Sequence, residues 1–341
     1  MSAAPVTLPT PTDVPEFVRN SVNLASAGLG ARALFATDDF FAEVNRMLAD
    51  KPALFEPDRY DDNGKYMDGW ESRRKRTAGH DHAVVRLATS GVIRGFDIDT
   101  SHFTGNYPPA ARVEACLVKG DPGEGTAWTE ILPLTPLTAS SHHFLASKSD
   151  SDWTHVRLHI YPDGGVARLR VYGEPHIDDM ALRGQTIDLA SGLNGGRVIG
   201  YSDAHYGAFH RLLAPGRGLD MGDGWETRRR RVPGNDWIII ALGARGIVEG
   251  VELDTAHYKG NYPDSASLLA SDLGRGLDNL SDAVSASSMF WPELLGQQKL
   301  KPDAIHKFDS VHALGPVTHV RLNIFPDGGI SRVRLWGKLA E

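Results

Sequence analysis

The chain has 341 residues, 41% hydrophobic and 23% charged, the balance of a soluble globular protein with enough length for two full cores. A formal net charge of −7 and an isoelectric point near 6.0 oppose a nucleic-acid partner, and no window reaches membrane-span length. The single cysteine, Cys116, rules out an intrachain disulfide and, with no signal-peptide pattern in MSAAPVTLPTPTDVPEF, fits a reducing, cytoplasmic setting.

Taken in order, residues 1–20 read as a loose Pro/Thr-rich tail, and residues 21–173 as a first domain that opens on VNLAS at Val22. DDFFAEVNRMLA after Thr37 reads as a short helix with Thr37 as its cap. DGWESRRKR begins at Asp68. HAVVRLAT reads as a buried strand, and GVIRGFDIDT alternates Phe96 and Ile98 with Asp97 and Asp99. DTSHFTGNYP follows as a strand-end loop, where Gly-Asn and Tyr-Pro set a turn. HVRLHIYPDGGVARLRVYG has period-two alternation on both sides of Pro-Asp-Gly-Gly, the pattern of a hairpin. That hairpin would set His155, Arg157 and His159 across from Arg168 and Arg170.

After a polar linker, residues 174–185, the sentence is written again in a second domain, residues 186–341. IDLAS at Ile187 answers VNLAS at a displacement of 165 residues, and AHYGAFHRLL after Asp203 repeats the helix signal with Ser202 as cap. DGWETRRRR at Asp223 and DTAHYKGNYP at Asp254 are displaced by 155, and HVRLNIFPDGGISRVRLWG at His319 by 164. The fall to 155 puts an extra loop in the first copy near KPALFEPDRYDDNGKY. The rise to 164 puts one in the second copy near GRGLDNLSDAVSASS. A period this long is a doubled domain rather than a solenoid. Many short strands with Gly and Pro between them make each copy an all-β sandwich with few short helices.

Apolar positions kept between copies need only a core to explain them, so the kept polar ones carry the functional question. Trp70 and Trp225 suit a core as well as a site. Glu71 with Arg73, and Glu226 with Arg228, read either as cross-strand ion pairs or as carboxylate and guanidinium groups offered to a ligand. A basic run beside a strand sends its side chains to opposite faces, which opposes a nucleic-acid or nuclear-address reading. In the histidine loop, Asp97, Asp99 and His102, and in the second copy Glu252, Asp254 and His257, have the residue types for a divalent metal, although turn-making explains the same pattern. Arg157, Arg168, Arg321 and Arg332 read as a solvated face or as an anion site. There is no P-loop, dinucleotide glycine fingerprint, HExxH or nucleophile elbow.

The doubled arrangement NLAS…ATDDFF…DGWESRRKR…GFDIDTSHFTGNYP…HVRLHIYPDGGVARLRVYG resembles the allantoicase family, from about Val22 to Gly337. The resemblance implies two tandem jelly-roll, galactose-binding-like sandwiches and the reaction of allantoate with water to give ureidoglycolate and urea. A non-catalytic jelly-roll binding protein and a ureidoglycolate-cleaving hydrolase are the alternatives. For the amidinohydrolase, residue chemistry assigns proton transfer to His102 or His257, orientation to Asp99 or Asp254, and a second base to Glu71 or Glu226. Arg73, Asn106, Tyr107, Arg157 and Arg168, or Arg228, Asn261, Tyr262, Arg321 and Arg332, would hold the carboxylate and the ureido arms. His82 stands where the second copy has Trp237, so the copies need not be equally active. A divalent metal and a homo-oligomer stay open.

Overall fold

The computed structural model describes residues 4–274 and 281–340. The chain forms two compact units, Met1–His176 and Ile177–Glu341, and each is a jelly-roll β-sandwich. The organiser of the first unit is one 19-residue strand, Asp81–Asp99, which merges the two strands expected from HAVVRLAT and GVIRGFDIDT. Its first half pairs with Asp152–Tyr161 on one side and Arg32–Ala36 on the other. Its second half pairs with Arg168–Pro175 and Phe144–Ala146. The Asp152–Tyr161 strand continues the sheet to Ala110–Cys116 and then Thr129–Pro136. The second unit repeats this around Asp236–Asp254, which pairs with Val317–Phe325, Arg197–Tyr201, Arg332–Leu339 and Ile305–Phe308.

Period-two alternation decides what each sandwich buries. Ala83, Val85 and Leu87 from the first half of the long strand meet Phe96 and Ile98 from its second half, with Val156, Leu158 and Leu169 from the neighbouring strands, in one core around Trp70. The second core gathers Ile238, Ile240, Leu253, Val320 and Leu322 around Trp225. Both tryptophans are fully buried, and each indole donates to a backbone carbonyl, Trp70 to Asp38 and Trp225 to Asp203, at 2.8 Å.

Three expectations change. The Pro-Asp-Gly-Gly segment is a crossover rather than a hairpin turn. The strands on its two sides pair with the two halves of the long strand. The competing partner is Trp70–Glu71, which claims Gly165 and Val166 and draws the chain off the first sheet. His155, Arg157 and His159 therefore stand beside the first half of the long strand and Arg168 and Arg170 beside its second half, and the two sets are not cross-strand partners. The helix expected from Thr37 is a short 3-10 turn, Val44–Leu48, capped by Glu43, because Phe41 and Ala42 are held extended by the carbonyl of Glu71. The Thr37 hydroxyl donates to Asp81 at 2.8 Å, and that of Ser202 to Asp236 at 2.9 Å. In the second copy the 3-10 turn is Phe209–Leu213.

Within the segment expected as a loose tail, Val6–Thr7 pairs with Leu54–Phe55, and Glu16–Arg19 is helical, with Phe17 packed on Tyr172. The linker holds the end of a strand and a helical turn, Asp179–Leu182, capped by Asp178. Of the second copy's extra segment, residues 275–280 lie outside the described residues, and Ser281–Ser288 is a helix. Among the described residues no helix is long and apolar enough to cross a membrane.

Candidate active site

Four repeated segments are tied together in each sandwich, and the backbone shows how. In the first unit the Glu71 amide donates to the Ala42 carbonyl, and the Ser72 amide to Gly164, so the Trp motif lies between the Asp38 loop and the glycine crossover. The Gly165 amide donates to Asn106 at 2.7 Å, which ties in the histidine loop. The Lys75 amide donates to the Asp163 carboxylate at 2.8 Å. The second unit repeats the last three ties: Thr227 to Gly328, Gly329 to Asn261 at 2.8 Å, and Arg230 to Asp327 at 2.8 Å.

Polar side chains follow the backbone. Asn106 Nδ2 donates to Glu71 Oε1 at 2.6 Å, and Asn261 makes the same bond to Glu226. Glu71 is half-buried, and burial pushes its carboxyl above the ordinary range against the pull of the Asn106 bond. Arg73 pairs with Asp38, Nε to Oδ2 at 2.7 Å, rather than with Glu71. Arg228 pairs with Asp203 at 3.0 Å rather than with Glu226. Burial raises Asp38, but the Arg73 guanidinium and amide outweigh it and hold the carboxyl below its usual value. Beside this pair lies a hollow of about 500 Å³ lined by Asp38, Phe41, Arg73, Arg74, Lys75 and Asp81. Lys75 is neutralised by Asp81 at 2.5 Å. Arg74 and Arg76 are exposed, with no ion-pair partner among the described residues.

Other expected site residues stand elsewhere. Arg168 and Arg332 are buried and held by carboxylate and carbonyl partners, Arg168 through all three guanidinium nitrogens and Arg332 through its two terminal ones. Arg168 meets Asp68 at 2.6 Å and the carbonyls of Lys51, Pro52 and Asp68. Arg332 meets Asp223 at 2.8 Å. Burial raises Asp223, yet Arg211, the Leu219 amide and Arg332 together bring it to about 2. Arg157 lies on the sheet face, paired with Glu114 and over Trp128. Arg321 is buried against Asn323, Ser288 and Trp237. Tyr107 and Tyr262 are partly buried at the edges of apolar clusters.

The two metal sets do not assemble. Asp97 is held by His142 at 2.8 Å, the Asp99 carboxylate caps the Ser101 amide at 2.7 Å, and His102 Nε2 faces the Ala53 carbonyl at 3.2 Å. In the second copy Glu252 faces Lys307, Asp254 takes the Ala256 amide and Arg217, and His257 Nε2 faces Gly218 at 2.8 Å. A carbonyl only accepts, so Nε2 of each histidine carries the proton. Three groups were missed. Asp38 and Asp203 sit in ATDDFF and YSDAHY at one fixed displacement, a usable signal. His143 and His306 repeat too, each accepting a backbone amide, from Thr138 and Lys301. His80, His82 and His159 meet only in three dimensions, with ring nitrogens within 4.8 Å of one another.

The model of the Allantoicase repeat matches residues 22–176 and again 187–340. A protein of Rhizobium meliloti named "Probable allantoicase" is 58% identical over 330 residues, 96% of this chain and 97% of that one. A relative of the same name from Pseudomonas syringae pv. syringae is 55% identical over 94% of this chain and 97% of its own. Among solved structures, allantoicase from Saccharomyces cerevisiae is 32% identical with a TM-score of 0.77, covering 93% of each chain. A second structure of allantoicase is 33% identical with a TM-score of 0.78, also over 93% of each. With both repeats matched and nearly the whole length shared, the chain belongs to the allantoicase family.

Proposed function

We infer that the chain hydrolyses allantoate to ureidoglycolate and urea in purine breakdown, acting on a C–N bond of a small linear ureide. Membership of the family over nearly the whole chain is the observation that carries this. The geometry supplies the groups such a reaction needs. Allantoate has one carboxylate and two ureido arms on a single carbon. Exposed guanidinium groups of the Trp motif, Arg73, Arg74 and Arg76, or Arg228 in the second copy, suit the carboxylate. The amides of Asn106 and Asn261 suit the ureido groups.

Glu71, and Glu226 in the second copy, are the carboxyls we assign to proton transfer. A half-buried Glu71 with a raised carboxyl is poised nearer neutrality than an ordinary glutamate, as general acid–base work requires. His102 and His257 are weaker candidates, because Nε2 of each is committed to a backbone carbonyl; we assign them, with Asp99 and Asp254, to holding the loop. His102→Ala is then expected to cost about 1 kcal/mol of stability, the value of one hydrogen bond, with turnover cut less than tenfold. Denaturant midpoints and urea release check this, and a larger loss of turnover without loss of stability returns the proton transfer to His102.

The reaction is tested by adding allantoate to the pure chain and measuring urea and the carbon product. Urea with ureidoglycolate supports the reading, and glyoxylate as first product moves the activity to ureidoglycolate cleavage. No urea above the blank, with or without added divalent metal, overturns it. We place the enzyme in the cytoplasm on the strength of its lone cysteine, which is buried and pushed up to about 11 by that burial.

A further inference from the structure

The outer face of the first sandwich holds a cluster that the hydrolytic reading does not use. His82 and His159 are direct cross-strand partners, so both rings stand on one face. His80, one residue before the long strand, stacks on Tyr161 with ring centroids 4.2 Å apart. Its Nε2 lies 2.8 Å from Nδ1 of His159, and ring nitrogens of all three fall within 4.8 Å of one another. From this geometry we infer that His80, His82 and His159 form a binding site for a divalent transition-metal ion of the zinc class.

Several features support a cation with imidazole ligands. Glu114 Oε2 lies 2.9 Å from His159 Nε2. The carboxylate only accepts, so Nε2 of the neutral ring donates and Nδ1 keeps its lone pair toward His80. This is the carboxylate–histidine relay that fixes a metal-binding ring in its tautomer. Zinc–nitrogen bonds near 2.0–2.1 Å at a tetrahedral angle set ligand nitrogens about 3.3 Å apart. That spacing falls between the 2.8 Å pair and the 4.8 Å limit seen here. Three ligands on a half-exposed face leave the fourth position open to water or a ligand.

The surrounding charge permits a cation. Arg112, Arg157 and Lys75 face the cluster, and each is paired: Arg112 with Glu114 and Glu130, Arg157 with Glu114, Lys75 with Asp81. An anion would meet Glu114 on the same face.

The second copy is an internal control. Asn235, Trp237 and Asn323 stand at the three positions, and the same sandwich forms without the imidazoles. There the face is covered: Val284 of the Ser281–Ser288 helix and Trp291 pack on Ile239, with Trp237 beside them. In the first copy His80 and His82 stay half-exposed. The fold therefore does not need the histidines, and the site is confined to one copy.

The test uses the full, untagged chain, stripped with a chelator and titrated with zinc by calorimetry, and with cobalt(II) followed by visible absorption. One ion per chain, with the intense bands of four-coordinate cobalt, is the expected result. His80→Asn and His159→Asn place the second copy's own residues in the first, so folding is preserved. Each should abolish the cobalt bands and the stoichiometric uptake. Glu114→Gln should weaken binding about 10–100-fold. No saturable uptake by the unsubstituted chain, or uptake unchanged in the double His80→Asn, His159→Asn variant, overturns the site. Binding is read without allantoate, so its failure is distinct from failure of the hydrolase reading.

Discussion

Replacing Arg168 with Leu is expected to destabilise the first sandwich by about 3–5 kcal/mol, the cost of stranding one member of a buried ion pair. The residue is only 1% exposed. Besides Asp68, it donates to the carbonyls of Lys51, Pro52 and Asp68, at 2.8, 3.2 and 2.7 Å. Removing it leaves a carboxylate and several carbonyls without their donor. Asp68 also accepts the Leu54 amide at 2.9 Å, so the loss reaches the segment that carries the Ala53 carbonyl under His102. Lys at 168 should rescue little, because one ammonium cannot replace a planar fork with this many acceptors. Arg332→Leu should cost less in the second sandwich, since Asp223 retains Arg211 at 2.5 Å. Denaturant unfolding, with hydrogen exchange to locate the loss, gives the order. Equal penalties in the two copies would show that the second arginine at Asp223 does not compensate.

The contrast between these arginines and the exposed ones explains what the sequence could and could not tell. Repetition was legible because each motif keeps its spacing: Trp70 and Trp225, Asp99 and Asp254, His102 and His257. Alternation was legible along Asp81–Asp99, because a strand buried on one face must alternate. The partners of polar groups were not. Glu71 and Arg73 sit two apart in DGWESRRKR, which suggests a pair. Asp38 lies 2.6 Å from Arg73 Nη2 and is supplied by a loop far away in the chain. Arg168 follows the glycine crossover and looks as exposed as Arg157, yet one side chain is buried against the Lys51 and Pro52 carbonyls and the other lies on a sheet face. The hairpin expectation failed for the same reason: a short Gly-rich turn favours pairing of its flanks only when no third strand competes, and Trp70–Glu71 competes. His80, His82 and His159 carry no motif because the register of two strands, not the spacing of one, brings them together.

Glu71→Gln and Glu226→Gln should separate activity from stability. The substitution keeps the side chain's shape and an oxygen for the Asn106 or Asn261 amide while removing the ionisable group. In a copy whose glutamate moves the proton, turnover should fall about 10²–10⁴-fold, the usual worth of a positioned acid or base. The single variants thus identify the working copy, and the double variant should fall to the background. If the ionised form of Glu71 is the base, activity in the first copy is lost as pH falls through a value above the ordinary glutamate range, and Gln removes that acid limb. Stability has the opposite sign. A carboxyl raised in the folded state binds its proton more tightly there than in the unfolded chain, so its ionisation opposes folding as pH rises through the raised value. Glu71→Gln should therefore stabilise the first sandwich slightly at neutral pH and lose that advantage in acid. A variant that is both more stable and far less active would mark a carboxyl kept for chemistry at a cost to the fold. If both single variants and the double variant release urea at the unsubstituted rate, neither glutamate transfers the proton.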